Sequence, residues 1–206
     1  SKTFTENNVI GTNGGAEGIF SAIQILAEGE RDGYIVLPNP SDPIYETAGR
    51  IAGLQPLYCS TMTSQQPTYR DITEEQWPKV KIVVVNSPAD PYGADLPVLT
   101  WEFLLNQSEE HDFYILSDER LNSIQRGKPS PGLLEMADCN DNPDMTRCVV
   151  VNDLIYRSNL AGMPSGFLAG DRDFIKKANI YRAYHGLYIP VPNQKAAKLA
   201  WEDEDH

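Results

Sequence analysis

Cysteine, histidine and positive charge are all scarce in these 206 residues, and each scarcity removes a class of function. Cys59, Cys139 and Cys148 stand far apart in the chain. They make neither a disulfide framework nor the close pairs of a zinc site. There are three histidines, one of them the last residue, so no His-based metal site is expected. Lys and Arg number 17 against 29 Asp and Glu, for a net charge of −12. With no basic stripe to neutralise phosphates, nucleic acid is a poor partner. No apolar run approaches the length of a membrane span, and the start lacks the pattern of a secretory signal. A reducing, cytoplasmic setting without a membrane partner is therefore expected. The chain opens at Ser1 rather than Met, which reads as a processed or excised piece.

What is present is an alternation of short apolar runs with amphipathic ones. The length suits one large domain over residues 1–206, with ample core. Val9 to Thr12 reads as a strand, followed by Asn13-Gly14-Gly15 and a helix from about Ala16 to Ala27. Ile19, Phe20, Ile23, Leu26 and Ala27 fall on one face of that helix. Tyr34 to Leu37 is the next strand. Ser41 or Asp42 then caps a helix that begins at Pro43 and stops at Gly53. Leu54 to Cys59 is a strand, residues 60–72 are loop, and Thr73-Glu74-Glu75-Gln76 reads as a capping box opening a short helix. Lys81 to Asn86 is too continuously apolar to be half exposed, so it suits a central parallel position. After a Pro- and Gly-rich loop come a helix from Thr100 to Ser108 and a strand from Phe113 to Ser117. Residues 122–132 read as loop and Leu133 to Ala137 as a helical turn. The strand Cys148 to Asn152, a polar loop and a strand at 166–169 lead to a helix from Asp171 to Tyr184. There Phe174, Ala178 and Tyr181 point inward. A last helix spans Asn193 to Trp201. Such alternation predicts an α/β fold with a mostly parallel sheet and helices on both faces.

In open α/β sheets, ligands bind outside the carboxyl ends of the strands. The residues just past each expected strand end are Asn13-Gly14-Gly15-Ala16, then Ser41-Asp42, then Asp90-Pro91-Tyr92-Gly93. Asp118-Glu119 and Asp153 with Tyr156-Arg157 complete the set. Asp42, Asp90, Asp118 and Asp153, with Glu119 beside them, should form an acidic strand-end pocket. Like charges that close repel, by ~1 kcal/mol even in water. The pocket should therefore raise carboxyl pKa values or take up a cation, unless the side chains splay and Arg157 neutralises part of the charge.

Several segments carry a family resemblance. TNGGAEGIF, PNPSDPIYETAGRIAG, SPADPYGADL, LSDER, the stretch VVNDLIYRSNLAGMPSGFLAG ending at Gly170, YRAYHG and AAKLAWEDE occur in that order. Together they resemble the large domain of fold-type I, class I/II aminotransferases that use pyridoxal phosphate, most closely the succinyldiaminopimelate aminotransferase type. The resemblance implies a three-layer α/β/α fold. Its sheet would be mixed, mostly parallel and seven-stranded, with the strand at 166–169 antiparallel to the rest. It also implies a dimer, and a chain without the family's N-terminal arm and C-terminal small domain.

On the same resemblance, the family's functional residues are largely replaced. The Schiff-base lysine falls on Tyr156, the phosphate arginine on Pro164 and the first serine of that segment on Asp153. Gly15 and Ala16 stand for the phosphate loop's hydroxyl and long side chain, although the backbone amides from Gly14 onward remain. Asp90 replaces the asparagine under the pyridine oxygen, Leu121 replaces a tyrosine, and Ser41 or Asp42 replaces the stacking aromatic. Asp118, which in the family pairs the pyridine nitrogen, is kept; by itself it reads as a strand-end cap or a partner of Arg157, and its place in the motif order favours the family role. Tyr156 reads as a buried packing residue, and Lys176 and Lys177 as solvated helix residues.

The expectation is an aminotransferase-like domain, degenerate or engineered, that is catalytically inactive and binds no pyridoxal phosphate tightly. Two alternatives stand beside it. One is a working enzyme with a non-standard site and an amino-acid substrate. The other is a non-enzymatic scaffold or binding module that uses the acidic pocket.

Overall fold

A strand buried on both faces must be apolar at every position, because successive side chains point to opposite sides of a sheet. Strand β4 (Val80–Asn86) shows the consequence. Ile82 and Val84 pack into one core cluster, and Val83 and Val85 into another on the opposite side. β5 (Tyr114–Asp118) and β6 (Cys148–Asp153) divide their residues in the same way, Leu116 against Ile115 and Val149 against Val150.

The computed structural model describes residues 4–30, 32–62, 64–124 and 130–204. The 125–129 part of the expected loop lies outside the described residues. The remaining strands are β1 (Val9–Thr12), β2 (Tyr34–Asn39), β3 (Gln55–Ser60) and β7 (Gly166–Gly170). The seven form one sheet in the order β1-β7-β6-β5-β4-β2-β3. Neighbours from β3 through β6 pair parallel, and β7 pairs antiparallel with both β6 and β1. The expected mixed, mostly parallel sheet with its antiparallel strand at 166–169 is thus observed.

Helices α1 (Gly15–Leu26), α2 (Pro43–Ile51) and α6 (Arg172–Tyr184) cover one face through Ile19, Ile23, Tyr45, Ala48, Phe174 and Ala178. Helices α3 (Val98–His111) and α4 (Leu133–Cys139) cover the other through Trp101, Leu104, Leu133 and Met136. Burying side chains such as Ile19, Leu104 and Phe174 stabilises the fold by about 1.5–3 kcal/mol each. The result is three layers, α/β/α. No helix among the described residues is long and apolar enough to cross a membrane.

Some local expectations need correction. Thr73 N–H does donate to Gln76 Oε1 at 2.9 Å, half of the expected capping box. The chain then makes only a 3-10 turn at Trp77–Lys79, because Pro78 lacks an N–H and its ring excludes a continuing helix. The segment after β6 is not all loop. It begins with a one-turn helix, α5 (Leu154–Arg157), started by the Asp153 carboxylate accepting from Ile155 N–H at 3.0 Å. Helix α3 runs past Ser108 to His111 and ends where Asp112 turns left-handed, at φ 58°. On α6, Ile175 and Arg182 are buried with Phe174 and Ala178, while Tyr181 is half-buried. A last helix, α7 (Val191–Glu202), comes after Pro190.

At the end of β7 the chain turns from sheet to α6 at Gly170, whose φ is +137°; an added Cβ there would lie 2.0 Å from the Cys148 carbonyl oxygen. Gly170→Ala is expected to lower stability by more than about 3 kcal/mol, combining left-handed strain with a backbone clash. Gly162→Ala, where a Cβ meets nothing within 4 Å, should stay near wild type. Urea unfolding of both variants checks this, and equal midpoints would contradict it.

Candidate functional site

Parallel strands deliver the loops after them to one sheet edge. β2, β4, β5 and β6 are mutually parallel, so Asp42, Asn86, Asp118 and Asp153 come to the same edge. Asp118, the last residue of β5, is 1% exposed and is the centre of the site.

A buried carboxylate must be paired and hydrogen-bonded. Asp118 is paired by Arg120, two residues on. Arg120 Nε donates to Oδ1 at 2.9 Å and Oδ2 at 3.0 Å, and Nη2 donates to Oδ2 at 2.7 Å. The Arg120 backbone N–H adds a contact to Oδ1 at 3.2 Å. Tyr45 on α2 also donates its hydroxyl to Asp118 Oδ2, at 2.5 Å. Arg120 Nη2 also reaches Asp42 Oδ2 at 3.0 Å, while Asp42 Oδ1 caps α2 by accepting from Ile44 N–H at 3.0 Å. The ring of Tyr156 lies over the guanidinium, 5.8 Å from Arg120 Cζ to its centroid.

Burial alone would lower the Arg120 pKa; the hydrogen bonds and charge of Asp118, with Tyr45 and Asp42, outweigh it and raise the pKa. Burial, then the neighbouring Asp118 charge, pushes the Tyr45 phenol well above its ordinary value.

Beside this pair, Asp153 is fully buried at the start of two helices. Its Oδ2 accepts from Gly15 N–H at 2.9 Å, the first residue of α1, and its Oδ1 accepts from Ile155 N–H. A carboxylate thus sits where a helix N-terminus attracts an anion. The space is tight. A Cβ on Gly15 would lie 2.3 Å from Arg120 Cδ and 2.7 Å from Asp153 Oδ2. Pro164 flanks the same turn, 3.2 Å from where a Gly14 Cβ would stand. Ala16 turns out to solvent. The cavity lined by Asp42, Tyr45, Asn86, Asp90, Asp118, Arg120, Leu121 and Tyr156 holds about 10 Å³, room for one water at most.

The four aspartates therefore do meet at one edge, but not as an open acidic pocket. Arg120, which sequence reasoning misses, supplies a cation from within the chain. Its signal is present in LSDER, since residues two apart on an extended strand end face the same way. Periodicity makes Tyr45 an apolar position of α2; a buried tyrosine whose hydroxyl needs a partner is the clue there.

Three further expectations are corrected. Arg157 does not neutralise the cluster. It donates to Ala200 O at 2.8 Å and Glu204 Oε1 at 2.8 Å, and lies 5.2 Å from the Trp201 ring centroid, where it fastens the end of α7. Glu119 points away from the cluster, because adjacent strand residues face opposite sides; it accepts from Leu133 N–H at 2.8 Å and Ser117 Oγ at 2.9 Å. Tyr156 is not buried but 44% exposed, on the one-turn helix that forms the rim. Asp90 is also exposed, its N–H donating to Asn86 Oδ1 at 2.7 Å. Lys176 and Lys177 lie exposed on α6. Among the described residues, no group of three or more His, Cys, Asp and Glu is arranged to hold a metal ion.

Comparison with known proteins gives this arrangement a setting. The family described as aminotransferase class I and II matches residues 1–205. An aminotransferase structure from Neisseria meningitidis is 33% identical, with a TM-score of 0.93, covering 99% of this chain and 53% of that one. The (5-formylfuran-3-yl)methyl phosphate transaminase of Methanocaldococcus jannaschii is 25% identical over 96% of this chain and 49% of its own. A probable N-succinyldiaminopimelate aminotransferase of Thermus thermophilus is 22% identical, with a TM-score of 0.77 over 86% of this chain and 46% of its own, and shares the fold. The chain spans less than half the length of the first curated relatives it matches.

Burial raises the Glu119 pKa, and the hydrogen bonds from Leu133 and Ser117 offset this only in part. A carboxyl raised in the folded state contributes stability below its unfolded pKa, and that contribution is lost as pH rises through the folded value. Glu119→Gln is neutral at every pH. Its unfolding free energy should therefore gain on wild type as pH rises from about 4 to 8. Urea unfolding at several pH values measures this, and a pH-independent difference would contradict it.

Proposed function

This chain belongs to the aminotransferase class I and II family, and from that premise we propose that it is a non-catalytic member, an aminotransferase large-domain frame without transaminase activity. The proposal rests on Tyr156, which the resemblance of the segment ending at Gly170 aligns with the family's Schiff-base lysine. Transamination in this family needs an amine that condenses with the cofactor's aldehyde and then moves protons. A phenol forms no Schiff base. The exposed Lys176 and Lys177 are on α6, which packs against α1, β1 and β7 and is not among the elements that form the site.

The geometry also disfavours pyridoxal phosphate, the cofactor of the family. A pocket for a ligand of that kind is hundreds of cubic ångströms, against about 10 Å³ at this site. The Gly15 amide that would meet a phosphate already donates to the Asp153 carboxylate, and Pro164 brings no donor in place of the family's arginine. Both oxygens of Asp118 are engaged by Arg120 and Tyr45. The residues present do not fit the group.

Mixing the protein with pyridoxal phosphate should leave the visible spectrum of the free cofactor unchanged, and borohydride should trap no adduct. A single lysine labelled stoichiometrically would overturn the proposal. Tyr156→Lys alone should restore little, because Asp153, Pro164 and Arg120 remain. The pairing of two copies implied by the family resemblance is part of the same proposal; it predicts a dimer in sedimentation, and a clean monomer at high concentration would remove it.

A further inference from the structure

The groups around Arg120 make a receptor for a planar cation. Asp118 meets the guanidinium edge with both oxygens, and Asp42 takes a further N–H of Nη2 from the side. Tyr45 holds Asp118 by a hydrogen bond of 2.5 Å, so the carboxylate is oriented independently of the cation. Tyr156 lies over the guanidinium as a half-exposed lid. Two carboxylates face one guanidinium, so the site remains complementary to a planar cation if Arg120 is shortened. Forked contacts of this kind select guanidinium and amidinium over the point charge of an ammonium.

We propose that Asp118, Asp42, Tyr45 and Tyr156 form a guanidinium-binding site that Arg120 occupies in cis, taking the room and the counter-charge that the family reserves for its cofactor ring. This rests on the reading that no cofactor is held there. The ligand class is a small planar guanidinium or amidinium ion, which enters when the tethered group is absent. An ordinary packed ion pair differs in outcome, because its truncation leaves a collapsed or water-filled gap with no preference among cations.

The experiment uses Arg120→Ala with ethylguanidinium, which restores the atoms beyond Cβ. Its thermal midpoint should fall below wild type and then rise with ethylguanidinium, saturably and in the millimolar range. Ethylammonium at equal ionic strength should not raise it, and wild type should gain nothing from either ion. The double variant Arg120→Ala with Asp118→Asn should bind the guanidinium at least about tenfold more weakly. Should Arg120→Ala unfold by itself, refolding with and without ethylguanidinium becomes the readout, and selective recovery supports the site. Absence of saturable rescue in both forms, or equal rescue by ethylammonium, overturns the inference. Its failure is distinct from failure of the non-catalytic reading, which the borohydride trap decides on the wild-type chain.

Discussion

The interaction on which the site depends is the buried pair of Asp118 and Arg120. Asp118 closes a central strand at the sheet edge where loops from both sides converge, so water cannot solvate it. A charge in such a place is tolerable only when its hydrogen-bonding capacity is met. Arg120 and Tyr45 meet it from two directions, and Asp42 uses the outer part of the guanidinium. Removing one member of a buried pair costs about 3–5 kcal/mol, because the other is then buried without compensation. The arrangement therefore also fixes α2 against β5, through Tyr45 and the cap at Asp42.

Asp153 answers the same constraint with the opposite charge. Helix α1 begins at Gly15 with unsatisfied amides and a positive dipole end. In a site that holds a phosphate, the ligand satisfies them. In this chain the Asp153 carboxylate takes the Gly15 amide at 2.9 Å and also starts α5. Cation and anion ends are thus both answered by the chain itself, and the cavity around Asp118 and Arg120 holds only about 10 Å³. The backbone that builds the edge is set by the layers of Ile, Val and Leu packed on both faces of the sheet.

The fold is readable because its signals are local and repeated. KIVVVN must lie in a sheet covered on both faces, and Pro43 after Asp42 starts a helix in any context. The site is readable in position but not in pairing. The strand ends place Asp42, Asp90, Asp118 and Asp153 at one edge, yet sequence proximity points to Arg157 as their neutraliser and gives Arg120 no role. Arg157 is sequence-adjacent to the site, but the one-turn helix α5 rotates it toward α7. Glu119 belongs with the cluster by adjacency to Asp118; strand alternation sends it to the other layer, to the start of α4.

By itself the sequence determined the layered α/β frame, the order of its elements and the absence of an amine at position 156. Hydrophobic period, turn residues and residue identity do not depend on distant neighbours. Only the tertiary structure decided that Arg120 and Tyr45 share Asp118, that Asp153 occupies the α1 N-terminus, and that the acidic edge is closed. Those facts require residues 73 and 138 positions apart to meet within hydrogen-bond distance. A long side chain has several rotamers within reach of several partners, and packing alone selects among them.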